Sequence, residues 1–397
     1  MKDRNMLFIL LMLCALLLAS CSTDVDLCYE ENHPHNALLK YEYDWSGYEE
    51  SDIPDSMYVI AYRVVNRRRS LAAVSGNDFA GHYVYNGSSP DERLERFPVP
   101  TGAYKFITFN KDDSQLVIDE VMDYVADETN ETMLTDLCVN YKVYHKGHPA
   151  LTMPTIDWQD YNPYALYLQP NLPPVTYDTI ASMEVPHASK VTCHFAPQSI
   201  TQHIDIYFNI GKDISRRGFR VDSVLCDISG VPCRVSIANG YLDISHTAKM
   251  MFRMIPNGKT KWSDWATADS DASPDALRLH GAIDVPGLTR NPDAKANTGA
   301  GILQVIIFTS TADSDGRRAR KKIQGKINLY NTMLKANLMT VTPDGIHAVR
   351  NGTHGVLDIK ANIVIDGQDV KVNNDNNGGL DIWEPCGENV APPVIDI

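Results

Sequence analysis

Apolar and polar residues alternate along many short segments of the chain. In residues 39–45 the odd positions are apolar or aromatic and the even positions are charged. The same period of two runs through residues 203–210 and 357–365. Because successive side chains of a strand point to opposite faces of a sheet, this alternation predicts strands with one buried face.

Two further segments are apolar on both faces. Only Arg63 interrupts residues 57–65, and only Gln304 interrupts residues 302–308. Such runs predict central strands that are covered on both sides. Another strand is predicted at residues 104–109, directly after the turn signal Pro100-Thr101-Gly102.

Helical patterns are weak by comparison. The best candidate is Ser114 to Ala126, where apolar residues approximate a helical stripe, although a strand starting at Leu116 competes with it. Many short strands and few helices predict an all-β fold built from antiparallel β-sandwiches. At 397 residues, the length predicts two such domains in tandem, with the boundary in the Pro-rich stretch 170–197.

The N-terminus has the pattern of a lipoprotein signal peptide. Lys2 and Arg4 precede an apolar run from residue 6 to residue 18, and small residues lead to Cys21. The run is shorter than the ~20 apolar residues that a spanning helix needs. We therefore expect a mature chain that begins at Cys21 and carries acyl chains, with a plain secretory signal as the alternative.

These features divide the chain into four parts. Residues 1–20 are the predicted lipoprotein signal peptide, and residues 21–36 are a tether that leads away from the membrane. Residues 37–190 are the predicted N-terminal β-sandwich, and residues 191–397 are the C-terminal one. Asp24 and Asp26, just after Cys21, are consistent with display outside the cell.

The charge of the chain excludes one class of partner. The formal net charge is −14, and an acidic surface repels phosphate backbones, so nucleic acid is not an expected partner. Basic runs occur at Arg67, Arg68 and Arg69 and at residues 317–322. We interpret these runs as solvated loop charge or, alternatively, as sites for a trypsin-like protease.

Six of the eight cysteines remain once Cys14 and Cys21 are set aside. An exported protein can form disulfides, but six cysteines allow fifteen pairings. Cys226 and Cys233 flank the turn signal Ser229-Gly230, so a hairpin bridge between them is the easiest pairing to envisage. Their spacing does not match a zinc site.

The sequence carries none of the common catalytic motifs: it has no GxSxG, no HExxH and no P-loop. We therefore predict a protein that is not an enzyme. Trp158, Tyr161, Tyr164 and Tyr167 form a candidate glycan-binding platform, with a place in the sandwich core as the alternative. A hydrolase with dispersed catalytic residues is a further alternative.

Residues 373–384 approach the spacing of a calcium loop. Asn373, Asp375 and Asn377 supply oxygen at the first, third and fifth positions, and Glu384 stands at the twelfth. The flanking residues are typical of strands rather than of EF-hand helices. A hairpin turn through residues 377–379 explains the same residues and is preferred here. No metal and no cofactor is therefore predicted.

Several motifs together resemble one group of proteins. After Cys21 come Asp26-Leu27-Cys28-Tyr29-Glu30, His33-Pro34-His35 and a strand that ends Tyr43-Asp44-Trp45-Ser46; weaker matches are Pro100-Thr101-Gly102-Ala103-Tyr104, Ile228-Ser229-Gly230 and Gly378-Gly379-Leu380-Asp381-Ile382-Trp383. This set resembles the Bacteroidetes lipoproteins grouped with fimbrillins, in particular the fimbrium-anchoring subunits.

The resemblance implies two sandwiches of transthyretin-like or immunoglobulin-like topology, and a structural or adhesive role in a fimbrium at the outer membrane. Subunits of such fibres join when one donates a strand to its neighbour's sheet. In polymerising members a protease cuts at Arg and removes an N-terminal strand, for which Arg67–Arg69 is the candidate here, whereas anchoring members retain it. Pro392 and Pro393 make strand donation by the C-terminus doubtful. The alternative function is a surface lipoprotein that binds glycans or nutrients.

Overall fold

The computed structural model describes residues 37–48, 53–54, 56–65, 68–71, 81–85, 97–99, 101–110, 116–118, 138–151, 164–170, 172, 175–211, 219–237, 239–259, 276–312, 318–366, 369–374 and 383–385. These residues form mainly strands, which confirms the all-β class. No helix among them has the length and apolar character needed to cross a bilayer.

In chain order the elements are β1 Ala37–Tyr43, β2 Ser56–Val65, β3 Arg68–Leu71, β4 Gly81–Tyr85, β5 Phe97–Val99, β6 Gly102–Asn110, β7 Leu116–Ile118, β8 Cys138–Tyr141, β9 Tyr144–His145, β10 Leu166–Leu168, β11 Thr176–Val185, β12 Lys190–Phe195, β13 Gln198–Ser199, β14 Gln202–Gly211, β15 Phe219–Pro232, β16 Arg234–Ser236, β17 Leu242–Asp243, β18 Thr247–Pro256, β19 Ala276–Val285, β20 Ile302–Ala312, β21 Arg318–Asn328, α1 Tyr330–Ala336, β22 Met339–Val341, β23 His347–Arg350, β24 His354–Asp366, β25 Asp369–Asn374 and β26 Trp383–Pro385. The strands predicted at residues 39–45, 57–65, 104–109, 203–210, 302–308 and 357–365 all occur, as β1, β2, β6, β14, β20 and β24.

Two sheets that contain the N-terminal strands pack against each other as a sandwich. One sheet has three strands in the order β12-β1-β5, and the other has the order β13-β11-β6-β2-β3, with β4 also on β2. Their facing side chains make one apolar cluster, which includes Leu39, Tyr41, Val59, Phe106 and Phe195. As predicted, β2 is a central strand, since it pairs with β6 on one side and with β3 and β4 on the other.

The largest sheet curls into two layers. Its order is β25-β24-β14-β19-β18-β15-β20-β21-β26, and β18 and β19 share only two residue pairs. Side chains from both layers meet in one core; examples are Ile206 and Phe208 from β14 and Val224 and Ile307 from β15 and β20. The alternation in β14 therefore buries one face against the second layer.

The same core continues beneath the N-terminal sandwich. Ile60 of β2 and Ile107 of β6 belong to the large cluster, whereas Val59 and Ala61 point into the sandwich. A further sheet, β22-β23-β17-β16-β8-β7, borders this core. Pairings also cross the predicted boundary, because β12 pairs with β1 and β10 pairs with β18. The division into domains at residue 190 remains a prediction.

Three of the described pairings are parallel: β1 with β12, β14 with β24, and β10 with β18. The sequence analysis predicted antiparallel β-sandwiches, and the other described pairings are antiparallel. Alternation reports which face of a strand is buried, but it carries no information on the direction of the partner strand.

Of the two alternatives for Ser114–Ala126, the strand that starts at Leu116 is confirmed in the described part of this segment. Residues 116–118 form strand β7, for which the β-branched Val117 and Ile118 are well suited. Helix α1 lies elsewhere, at residues 330–336. The side chain of Asn328 accepts a hydrogen bond from the N–H of Tyr330 at 2.9 Å, and Asn337 ends the helix in a left-handed conformation.

The prediction of a hairpin at Ser229-Gly230 is wrong. These residues form a bulge inside the continuous strand β15: Ser229 lies opposite Lys249 of β18 and Val231 lies opposite Ala248, so Gly230 is the extra residue. Cys226 and Cys233 are free thiols. The six residues of mostly extended chain between them place the two cysteines roughly 20 Å apart, far beyond the reach of a disulfide.

Candidate functional site

Strand β1 is the element that the fimbrial resemblance singles out, and it lies in the middle of its sheet. It pairs in parallel with β12 from Leu38 to Tyr43 and antiparallel with β5 from Ala37 to Leu39. Ala37, Leu39 and Tyr41 are buried in the sandwich. Lys40 and Glu42 lie on the opposite face and form an ion pair at 2.9 Å.

Aromatic rings hold the end of β1 in place. The ring of Tyr41 lies 5.3 Å from Phe97 and 6.1 Å from Phe195 between centroids. Tyr43 stacks on Phe195 at 5.4 Å and on Trp45 at 5.6 Å, and its hydroxyl forms a 2.8 Å hydrogen bond with Thr108. Burial raises the pKa of the Tyr41 hydroxyl well above its ordinary value. The aromatic residues of the Tyr43-Asp44-Trp45 motif therefore stabilise the position of β1 by packing.

Strand β12 forms one edge of the same sheet. The carbonyls of Ser189 and Phe195 accept hydrogen bonds from Leu38 and Asp44, each at 2.8 Å. Backbone groups alternate in direction along a strand, so those of Lys190, Thr192 and His194 point away from β1. No described strand pairs with β12 on that side. Among the described strands, its outward N–H and C=O groups therefore form the edge of this sheet.

The candidate protease site lies at a short connection between strands. Arg68 and Arg69 begin β3 and pair with Val65 and Val64 of β2, while Arg67 lies outside the described residues. Cleavage here would sever the covalent link between the segment that contains β1 and β2 and the rest of the chain. The second basic run was expected in a loop, but residues 318–322 belong to strand β21, where they pair with β20.

The other residues predicted from sequence are placed only in part. Cys21 and two of the calcium-loop residues, Asp375 and Asn377, lie outside the described residues. Asn373 lies in β25, which pairs with β24, and Glu384 lies in β26, which pairs with β21. The hairpin expected between these two flanks is therefore absent from the described pairings. Calcium binding stays an alternative.

The proposed aromatic platform is not formed by its two described members. Tyr167 has 0% exposure and packs with Leu151, Leu225, Met251 and Ile306, so its place in the core is confirmed. Tyr164 is 88% exposed. Trp158 and Tyr161 lie outside the described residues.

One group of polar residues escaped the sequence analysis. His203 and Asp205 of β14, His280 and Asp284 of β19, and His354 of β24 come together on the outer face of the curled sheet. Imidazole nitrogens of His280 and His354 lie 2.6 and 2.8 Å from the Asp205 carboxylate. The only signal for this group in the sequence is that its members occupy polar positions in strands where polar and apolar residues alternate.

No protein-family model matches the chain, and no curated protein matches it. Solved structures with similarity include a candidate adhesin from Bacteroides thetaiotaomicron, with 13% identity, 86% of this chain and 96% of that chain covered, and a TM-score of 0.40. A candidate adhesin from Bacteroides ovatus has 11% identity, with 84% of this chain and 92% of that chain covered and a TM-score of 0.40. The fimbrial anchor protein Mfa2 from Porphyromonas gingivalis has 9% identity, with 85% and 97% covered and a TM-score of 0.35.

Proposed function

We propose that this chain is a surface-anchored structural or adhesive lipoprotein, not an enzyme, that serves as an anchor or accessory subunit of a fimbrium. Acyl chains on Cys21 would hold it in the outer membrane, since two chains provide durable attachment. Neighbouring subunits would join it by β-strand complementation. The observation that carries the proposal is the combination of a firmly packed β1 with an open edge at β12.

The packing of β1 and β2 favours retention of the N-terminal strand. A cut at Arg67–Arg69 would remove Leu39, Met57, Val59 and Ile60 from the core, and each of these residues is at most 2% exposed. At roughly 1.5–3 kcal/mol for each large side chain, the loss approaches the whole stability of a typical domain. We therefore propose that the protein on the cell still begins at Cys21, as an anchor requires.

The edge of β12 is the place where we propose that a neighbour's strand is added. An incoming strand would hydrogen-bond to the outward backbone groups of Lys190, Thr192 and His194. Proline at residue 192 would remove one outward donor while leaving the bonds to β1 in place, because proline is tolerated on the free side of an edge strand. Valine at the same position keeps the N–H and nearly the same shape, so it is the matched control.

The test is made in the bacterium that encodes the protein. We expect deletion of the gene to reduce fimbriation and adhesion in electron micrographs and binding assays. Thr192→Pro should reduce the amount of fimbrial protein that copurifies with the subunit, and Thr192→Val should not. Unchanged fimbriation after deletion would contradict the fimbrial role, and equal copurification by the two variants would contradict strand addition at β12.

A further inference from the structure

A cluster of three histidines and two aspartates lies on the outer face of strands β14, β19 and β24. Three of its members, His203, Asp205 and His354, bring one ligand atom each to within 4.8 Å of one another. The ring planes of His203 and His354 are nearly parallel, with centroids 5.5 Å apart. Nε2 of each ring faces the carboxylate of Asp205, at 3.6 Å for His203 and 2.8 Å for His354.

Hydrogen bonding fixes the tautomer of His203. Its Nδ1 lies 2.7 Å from Oδ1 of Asp284, and an ionised carboxylate can only accept, so Nδ1 carries the proton. When the ring is neutral, the Nε2 lone pair faces Oδ1 of Asp205 at 3.6 Å. A cation bound between these two acceptors would interact with both of them. A histidine whose other nitrogen donates to a carboxylate is the usual arrangement of a metal ligand.

The carboxylate of Asp205 is the centre of the cluster. Its side chain is only 16% exposed; Oδ2 lies 2.8 Å from Nε2 of His354, and Oδ1 lies 2.6 Å from Nε2 of His280. With neutral imidazoles, the two aspartates give the cluster a charge of −2. A divalent ion would neutralise that charge in a setting that is partly removed from water.

We propose that His203 Nε2, Asp205 and His354 Nε2 bind a divalent transition metal ion, for which Zn²⁺ is the probe. Imidazole and carboxylate are suitable zinc ligands at about 2.0–2.2 Å, and tetrahedral ligands then lie about 3.4 Å apart, so only small side-chain movements are needed. On binding, His354 takes the tautomer with its proton on Nδ1. Asp284 and His280 are positioning residues that orient His203 and Asp205. The ion would link the parallel pair of β14 and β24.

Two other exposed histidines provide a matched control. His246 lies 2.7 Å from Asp243, and His347 lies 2.7 Å from Asp344, but each pair is local in sequence and contains a single imidazole. The double variant His246→Ala/His347→Ala therefore removes as many aspartate-paired histidines as His203→Ala/His354→Ala. It leaves the three-residue set untouched.

The experiment is isothermal titration of Zn²⁺ into the full mature protein and both double variants, with circular dichroism to verify their folding. We expect the control to bind like the unchanged protein, and His203→Ala/His354→Ala to lose one site or to bind it at least tenfold more weakly. Asp205→Asn, which preserves shape, should weaken the same site, and X-ray absorption should show nitrogen and oxygen ligands. Equal zinc binding by the two double variants, or no zinc binding by the unchanged protein, would overturn the proposal.

Discussion

The bulge at Ser229-Gly230 offers a sharp test of the fold, because backbone conformation and close packing both disfavour a side chain at Gly230. This residue has φ +93°, a conformation that strongly favours glycine. A Cβ added there would lie 2.6 Å from the carbonyl oxygen of Thr289 and 2.9 Å from Cβ of Ala300. Thr289 also donates two hydrogen bonds to the Gly230 carbonyl, from N–H at 2.8 Å and from Oγ1 at 2.7 Å.

These contacts set the expected cost of Gly230→Ala. The left-handed backbone costs an L-residue about 1–2 kcal/mol, and overpacking against fixed backbone costs about 1–3 kcal/mol more. We therefore expect the free energy of unfolding to fall by about 2–5 kcal/mol. At roughly 2–4 °C for each kcal/mol, the Tm should fall by about 4–20 °C.

Gly258 separates the two effects. It has φ +77°, but nothing lies within 4 Å of an added Cβ, so Gly258→Ala carries only the backbone cost of about 1–2 kcal/mol. Urea unfolding followed by tryptophan fluorescence would measure both variants. Equal losses of stability in Gly230→Ala and Gly258→Ala would refute the close packing of the bulge against Thr289.

Three further predictions concern the core. Leu39→Ala should lower the free energy of unfolding by about 2–5 kcal/mol in urea titrations, and Leu38→Ala, on the partly exposed face of the same strand, by under about 1 kcal/mol; similar losses would contradict the placement of β1. Burial raises the pKa of the Asp227 carboxyl, against the opposing effect of Lys249 at 2.6 Å, so the folded state binds more protons than the unfolded state. Stability should therefore fall as pH rises above the unfolded pKa of about 4 toward the raised value, and Asp227→Asn should remove that slope; an unchanged slope would contradict the burial. Burial raises the pKa of the Cys193 thiol to about 12, so mass spectrometry should find it unmodified by iodoacetamide at pH 8 until the protein is unfolded, and rapid modification of the native protein would count against its burial.

Local patterns in the sequence predicted the strands well where burial on one face decides the structure. In β14 the apolar residues at even positions are all buried, and in β20 residues 302–307 are buried on both faces. The competition at Leu116 between helix and strand was settled by pairing with β8, which lies beyond a long intervening segment. Local periodicity contains no information about such a partner.

The remaining differences between the sequence-based predictions and the structure have a common physical cause. Ser229-Gly230 suits a turn and a bulge equally well, and the choice depends on β18 and on Thr289, which are distant in the sequence. The histidine cluster could not be predicted from the sequence for the same reason, because its five members come from three strands. His203 and His354 are neighbours only because β14 and β24 pair in parallel. Spacing along the chain could not place them together.

Attachment of lipid at Cys21 is the basis of the proposed role at the cell surface, and metabolic labelling with a palmitate analogue measures it. We predict that the label and the membrane fraction are lost in Cys21→Ala and kept in Cys28→Ala, which removes a cysteine seven residues further along the chain. A protein that stays unlabelled, or label that persists in Cys21→Ala, would contradict the lipid anchor and with it the proposed role at the cell surface.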